Sequence, residues 1–277
     1  MKKLLIVTDL DASLIDESYQ YAEALEAINQ LQTHGFPLVL NSSKTLAELG
    51  SLAHELQLTT PLIAENGGII AVPKTSELTS VITSDPQDWK DQGPYKTLVA
   101  GKSIESILQH AHQARLDHGY TFEGFSDWSD EELAAKTGLT ITDASLAKQR
   151  NVSEPILWQD SDQHWEQFRS HMLTHGIRTL RGGRFIHLMG PADKADGLRV
   201  TRLLYESQSP ETDWTTVAIG DSANDQSMLE AADIAIVIPH DNGPQIQVNA
   251  PRVINAKYPA SKGWNDAVLN LLSTISL

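Results

Sequence analysis

Four carboxylates stand at the ends of two apolar runs far apart in the chain. Leu4-Leu5-Ile6-Val7-Thr8 leads into Asp9-Leu10-Asp11, and Val217-Ala218-Ile219-Gly220 leads into Asp221, with Ser222-Ala223-Asn224-Asp225 directly behind. Carboxylates in this number supply the hard oxygen ligands that suit Mg²⁺, and Mg²⁺ beside a nucleophilic carboxylate suits phosphoryl transfer. Residues i and i+2 of an extended chain share a side, so Asp9 and Asp11 can face one ligand. In that chemistry Asp9 attacks phosphorus. Asp11 protonates the leaving oxygen and later deprotonates the attacking water, which requires the two acids to sit in different environments. The pair alone also suits a strand end that caps the next helix.

Three other short segments can serve the same chemistry. Asn41-Ser42-Ser43-Lys44 closes another apolar run, where hydroxyls and helix-entering N–H groups can hold phosphate oxygens. The same residues also make an ordinary helix start. Lys194, in Ala192-Asp193-Lys194-Ala195, can neutralise charge between Asp9 and a phosphate, although a lone lysine at a helix start is also at home in water. Asp221 can bind the metal, and Asn224 and Asp225 can orient its waters, its ligands or Lys194.

The elements that must carry these residues follow from hydrophobic spacing. Apolar positions 21, 24, 25, 28 and 31 make a helical stripe ended by Gly35, and Pro37–Asn41 reads as a strand. Thr45-Leu46-Ala47-Glu48 is a capping box, followed by a strand over 61–64 and a turn at Glu65-Asn66-Gly67-Gly68. This alternation predicts an α/β fold, a doubly wound, Rossmann-like parallel sheet that binds ligands beyond the carboxyl ends of its strands. Near residue 84 the rhythm changes. Ser84-Asp85-Pro86 and Asp91-Gln92-Gly93-Pro94 are turn-rich, and strands and helices then mix until about 190. The alternation returns at Asp193. The expected organisation is a core built from 1–84 and 191–277, with an α+β unit inserted over 85–190. Trp128, Trp158 and Trp165 are expected in its core, though one could stack on a sugar.

Composition narrows the setting. A net charge of −15 over 277 residues argues against broad contact with nucleic acid or an anionic membrane, so an anionic substrate needs a locally cationic site. There is no cysteine, hence no disulfide and no thiolate metal site. No stretch approaches the roughly 18 apolar residues of a membrane span. The first residues predict a strand rather than a signal peptide, which makes a cytoplasmic location the expectation.

In its order of motifs (Asp-x-Asp, Ser, Lys, then Gly-Asp-x-x-x-Asp) the chain resembles the haloacid dehalogenase superfamily of phosphatases along its whole length. Glu65-Asn66-Gly67-Gly68 is similar to the turn of the subgroup whose cap is inserted between the second and third motifs. The resemblance implies Mg²⁺ held by Asp9, Asp11, Asp221 and Asp225, catalysis by Asp9, Asp11 and Lys194, and a phosphate or substrate set that includes Ser42, Ser43, Lys44, Asn66 and Asn224. One position departs from the pattern: Ala12-Ser13 replaces the usual Gly-Thr or Gly-Ser, which keeps the hydroxyl and loses the freedom of glycine. Asn41–Thr45, Arg150-Asn151-Val152-Ser153-Glu154-Pro155, Gly183–Leu188 and Asp193-Lys194 more narrowly resemble the mannosyl-3-phosphoglycerate phosphatases. That implies a small phosphorylated sugar–glycerate substrate, mannosyl or glucosyl, and a role in making a compatible solute. Arg181 and Arg184 then suit a fork for its carboxylate, Gly182 and Gly183 close backbone approach, and Glu154 and His187 hydrogen bonds from hydroxyls. A broader sugar-phosphate phosphatase, a phospho-acceptor domain and an inactive binding module are the competing readings. Either a monomer or a homodimer is compatible with the sequence.

Overall fold

Leu4, Leu5, Ile6 and Val7 are all buried, which is the signature of a strand covered on both faces. In the computed structural model, which describes residues 2–16, 18–82, 89–181, 184–244 and 246–274, they lie in β1 (Lys2–Thr8) at the centre of a nine-stranded sheet. In chain order follow α1 (Leu25–Thr33), β2 (Leu38–Asn41), α2 (Leu46–Glu55), β3 (Leu62–Ala64), β4 (Ile69–Pro73), β5 (Trp89–Gln92) and β6 (Tyr95–Val99). The central unit comprises α3 (Ile104–His118), β7 (Phe122–Gly124), α4 (Asp130–Thr137), α5 (Ile141–Ala147), β8 (Ser153–Trp158), α6 (Asp162–Thr174), β9 (Arg178–Arg181) and β10 (Ile186–Met189). The chain then continues through α7 (Lys194–Gln208), β11 (Asp213–Gly220), α8 (Gln226–Ala231), β12 (Ile234–Val237), β13 (Arg252–Asn255) and α9 (Ala260–Thr274). Among the described residues, no helix is long and apolar enough to cross a membrane.

The large sheet has the order β13-β12-β11-β1-β2-β3-β4-β6-β5. Strands β13 to β3 in that order pair in parallel. Alternation along β1 sorts its side chains between two cores. Leu4 and Ile6 pack with Ile28 and Leu31 of α1, Leu49 of α2 and Trp264 and Leu271 of α9; Leu5 and Val7 pack with Leu198 of α7 and Met228 and Leu229 of α8. Each such side chain contributes about 1.5–3 kcal/mol on burial, so the register of β1 is strongly fixed. That register delivers Asp9 to the carboxyl edge beside Asp221, because Thr8 pairs with Ile219.

The sheet extends further than the sequence reading places it. Residues 89–99, assigned there to the inserted unit, form β5 and β6, which add antiparallel strands outside β4. Asp91-Gln92-Gly93-Pro94 is the turn of this hairpin, with Gly93 at φ 54°. It is not a crossing between units. Lys90 and Asp91 hide the strand pattern because β5 is the edge of the sheet, where charge is tolerated. The other turn signal, Ser84-Asp85-Pro86, lies outside the described residues.

The second sheet has the order β7-β8-β10-β9, antiparallel throughout. Helices α3 and α6 cover one face through Ile107, Ala111, Phe168 and Met172. The other core, Phe125, Trp128, Leu133, Ala144 and Ala147, seats α4 and α5. Trp128, Trp158 and Trp165 belong to these two cores. Helix α5 returns to the large sheet's edge, where Thr45 Oγ1 donates to the Leu146 carbonyl at 2.9 Å.

Candidate active site

The carboxyl ends of β1, β2, β11 and β12 meet the start of α7 at one edge. Asp193 caps α7 by accepting from the N–H groups of Ala195 and Asp196, and this sends Lys194 inward. Asn41, at the end of β2, donates its amide to the Lys194 carbonyl at 2.9 Å. The buried Lys194 Nζ then donates to Asp9 Oδ1 and to Asp225 Oδ1, both at 2.5 Å. Asp225 accepts with its other oxygen from the N–H groups of Asp221 and Ser222, each at 3.1 Å, and so folds the loop after β11. A side chain at Gly220 would collide with Asp225, so this turn requires glycine.

Asp221 is held from both sides. Ser13 Oγ donates to Oδ1 at 3.2 Å, and His240 Nε2 lies 2.7 Å from Oδ2. The Ser13 contact preserves the expected hydroxyl. Ala12 nevertheless takes φ 58°, the left-handed region expected of glycine, at a strain of about 1–2 kcal/mol. Trp264 Nε1 donates to Thr8 Oγ1 at 2.9 Å and Thr8 Oγ1 donates to the Asp9 carbonyl at 2.8 Å, which pins the strand end.

Asp9, Asp221 and Asp225 can each turn an oxygen to one point, with ligand atoms within 4.8 Å of one another. Three buried acids against one lysine carry a formal charge of −2. Burial and then Asp225 hold the Asp9 carboxyl well above the usual carboxylate range, with Lys194 opposing. Burial and Asp225 likewise raise Asp221, opposed by His240. An all-oxygen donor set with surplus negative charge is the chemistry that Mg²⁺ fits. Asp11, placed by the sequence among the metal ligands, brings no carboxylate oxygen to this group. Its carboxylate pairs with Lys44 Nζ at 3.0 Å, because the chain turns at Ala12 and the lysine lies closer.

A cavity of about 930 Å³ opens over this edge, within the size range of small-molecule sites. Asp9, Asp11, Ser43, Lys44, Asp221 and Asn224 line its sheet side; Arg150, Arg181, Arg184 and His187 line the opposite wall. Burial, then Arg150 and Lys194, push the His187 imidazole down to about 3, so it is neutral, and among the described residues its Nδ1 has no partner. Asn224 Oδ1 accepts from Ser222 Oγ at 2.6 Å.

Other expected site residues lie elsewhere or are already engaged. Ser42 is fully buried behind the loop, and its carbonyl accepts from Asn66 N–H; neither residue lines the cavity. Glu154 is also absent from the lining, because its Oε1 accepts from the N–H and hydroxyl of Ser126 at 2.8 and 2.7 Å. Arg184 donates to the Lys136 and Thr137 carbonyls at 2.7 and 3.3 Å, the unpaired end of α4 that a guanidinium satisfies well. Gly182 and Gly183 lie outside the described residues. The sequence reading gave no role to His240, although it follows β12, the strand next to β11, and so reaches the same edge. Nor did it give one to Arg150, whose Nη1 donates to the Ser43 carbonyl at 3.0 Å.

Comparison with known proteins agrees with this geometry. A family model described as haloacid dehalogenase-like hydrolase matches residues 6–255. A protein of Persephonella marina named glucosyl-3-phosphoglycerate/mannosyl-3-phosphoglycerate phosphatase is 31% identical over 274 residues, covering 98% of each chain. A protein of the same name from Methanococcoides burtonii is 33% identical over 98% of this chain and 97% of its own. A solved structure from Thermoplasma acidophilum shares the fold with TM-score 0.67 at 16% identity, over 98% of this chain and 99% of its own. The chain therefore belongs to the haloacid dehalogenase-like hydrolases, and it is an enzyme that hydrolyses phosphoric monoesters.

Proposed function

We propose that this enzyme hydrolyses glucosyl- or mannosyl-3-phosphoglycerate to the glycosylglycerate and inorganic phosphate, by way of an aspartyl-phosphate on Asp9. The observation that carries this reading is the meeting of Asp9, Asp221 and Lys194 at the buried end of a cavity whose walls add Lys44, Arg150, Arg181 and Arg184, in a chain of net charge −15. The names of the two curated relatives support the substrate class.

Lys194 takes Oδ1 of Asp9, and Oδ2 is the oxygen that forms the new bond to phosphorus. The P–O bond to the glycerate oxygen breaks, and that oxygen receives a proton from Asp11. Water then attacks the phosphoryl group; Asp11 takes the water's proton, the Asp9–phosphorus bond breaks, and phosphate leaves. Asp11 must first let go of Lys44, whose charge then faces the phosphate. Mg²⁺, held by Asp9 and Asp221, would supply positive charge beside the phosphoryl oxygens. Asp225 keeps Lys194 and the Asp221 loop in position. The inserted unit excludes water and presents cationic and neutral polar groups to the glycerate and sugar.

Phosphate release from both glycosyl-phosphoglycerates, from hexose phosphates and from a small aryl phosphate, each with and without EDTA, tests the reading. Turnover of the glycosyl-phosphoglycerates well above the others, lost in EDTA, is expected. Comparable turnover of hexose phosphates would assign the broader sugar-phosphate activity instead.

A further inference from the structure

We infer that Arg150 is the receptor for the substrate's carboxylate, a role that rests on the function proposed above. In a 3-phosphoglycerate unit the carboxylate is two carbons from the phosphate oxygen. Its receptor must therefore border the phosphate-binding loop. Arg150 does so, with Nη1 on the Ser43 carbonyl, and it lines the cavity. Arg184 sits on β10's approach and is bound to the end of α4. Arg181 ends β9 and is exposed.

The guanidinium is held from several directions. Nε donates to the Ala147 carbonyl at 3.1 Å, and Nη1 also donates to Ser153 Oγ at 3.0 Å. The ring of Phe125 lies 5.4 Å from its central carbon. The next residues are clamped by the buried Glu65, which accepts from the N–H groups of Asn151 and Val152 at 2.9 and 3.0 Å and from Ser153 Oγ at 2.6 Å. These contacts engage Nε and both Nη1 hydrogens. Among the described residues, Nη2 has no acceptor and Arg150 forms no ion pair. A half-buried, preorganised guanidinium with an unengaged N–H pair, beside a phosphate loop and facing a cavity, is an anion receptor of the kind that arginine serves best. Burial, and then its charge and that of Lys194, keep the nearby His187 neutral, which leaves the imidazole to bind hydroxyls and the guanidinium to bind the anion.

The test compares 3-phosphoglycerate with glycerol 3-phosphate, which differ in the carboxylate, as competitors of whichever phosphate ester the enzyme turns over. The wild type should bind the carboxylate compound more tightly. Arg150→Met should weaken it by about 10- to 100-fold, the range for a lost charge-assisted hydrogen bond, and should change glycerol 3-phosphate far less. Arg150→Lys keeps the charge without the fork and should give an intermediate preference; it carries the test if the methionine variant does not fold. Equal weakening of both ligands would mean that Arg150 only couples the inserted unit to the Ser43 loop, and would overturn the assignment. So would a wild type indifferent to the carboxylate, or an Arg150→Lys preference equal to the wild type's. Failure to turn over glycosyl-phosphoglycerates would refute the proposed function and leave this ratio still measurable.

Discussion

Replacing Lys194 with methionine removes one charge while nearly keeping the volume of a fully buried side chain. Its Nζ is 2.5 Å from carboxylate oxygens of both Asp9 and Asp225, and no water replaces it in a site with 0% exposure of the Lys194 side chain. Breaking a buried charge pair from one side costs about 3–5 kcal/mol. At about 2–4 °C per kcal/mol for domains near this size, the metal-free variant should melt roughly 6–20 °C below the wild type at pH 8. The formal charge of the site also moves from −2 to −3, so a divalent cation gains more by binding. Saturating Mg²⁺, at about 100 times its dissociation constant, stabilises a folded protein by about 2.7 kcal/mol. The rise in melting temperature on adding Mg²⁺ should therefore be larger for Lys194→Met than for the wild type. Phosphate release should still fall by about 10²–10³-fold or more, because the donor on Asp9 is gone. The assay is thermal unfolding in EDTA and in Mg²⁺, paired with phosphate release. A variant within about 2 °C of the wild type in EDTA, or one that gains no extra stability from Mg²⁺, would refute the reasoning that this lysine balances a buried acidic cluster.

The same electrostatics set the pH dependence. The folded state raises Asp9 and Asp221 above the ordinary 3.8, so it holds their protons more tightly than the unfolded chain does. Their contribution is fully favourable below 3.8 and is lost as pH rises through the raised values; melting temperature in EDTA should fall over that rise, and Mg²⁺ should flatten that slope by taking up the ionised form. A flat profile in EDTA would argue against these shifts. Asp9→Asn should abolish phosphate release, since an amide is a poor nucleophile, and should raise the metal-free melting temperature by relieving repulsion with Asp221 and Asp225; retained turnover in a clean preparation would remove the nucleophile role. His240→Ala should weaken Mg²⁺ activation by about 10-fold, the lower end for loss of a group that orients a metal ligand, and an unchanged Mg²⁺ titration would show that Ser13 alone positions Asp221.

The parts of this site that were legible in sequence are those written by one strand. Alternation along β1 fixes its register, and the residues after its last buried position must then emerge at the carboxyl edge; the same holds for β11 and Asp221. What sequence could not show is which partner a polar side chain takes when several are near. Asp11 found Lys44, Glu154 found Ser126, and Arg184 found the open carbonyls of α4. Each was a reasonable ligand contact by residue type, and each pairs with a group brought close by the tertiary fold. His240 carried no spacing signature of its own, because its partner is 19 residues away across two parallel strands. The β5–β6 hairpin escaped for a different reason: an edge strand has little apolar face to announce it.

The turn at Glu65-Asn66-Gly67 shows how a readable turn can hold an unreadable function. Three successive residues lie in the left-handed region, at φ 50°, 56° and 92°. The first two are not glycine and store about 1–3 kcal/mol each. Glycine is required third, since a side chain there would strike the Asp193 carbonyl at the head of α7. The strain persists because backbone groups of the turn and the Glu65 carboxylate are tied to different parts of the site. The N–H groups of Glu65 and Asn66 donate to the carbonyls of Lys44 and Ser42, and the Gly68 carbonyl accepts from Ala100 and Gly101, where the chain leaves for the inserted unit. The Glu65 carboxylate holds 151–153 on the way back. The loop over 42–44, the Lys194 helix and both passages to the inserted unit therefore share one strained corner. A change in how the inserted unit sits must alter the Glu65 contacts, and through them the carbonyl of Ser43 on which Arg150 rests. The inserted unit and the carboxyl edge of the sheet are thus coupled by hydrogen bonds that belong to neither alone.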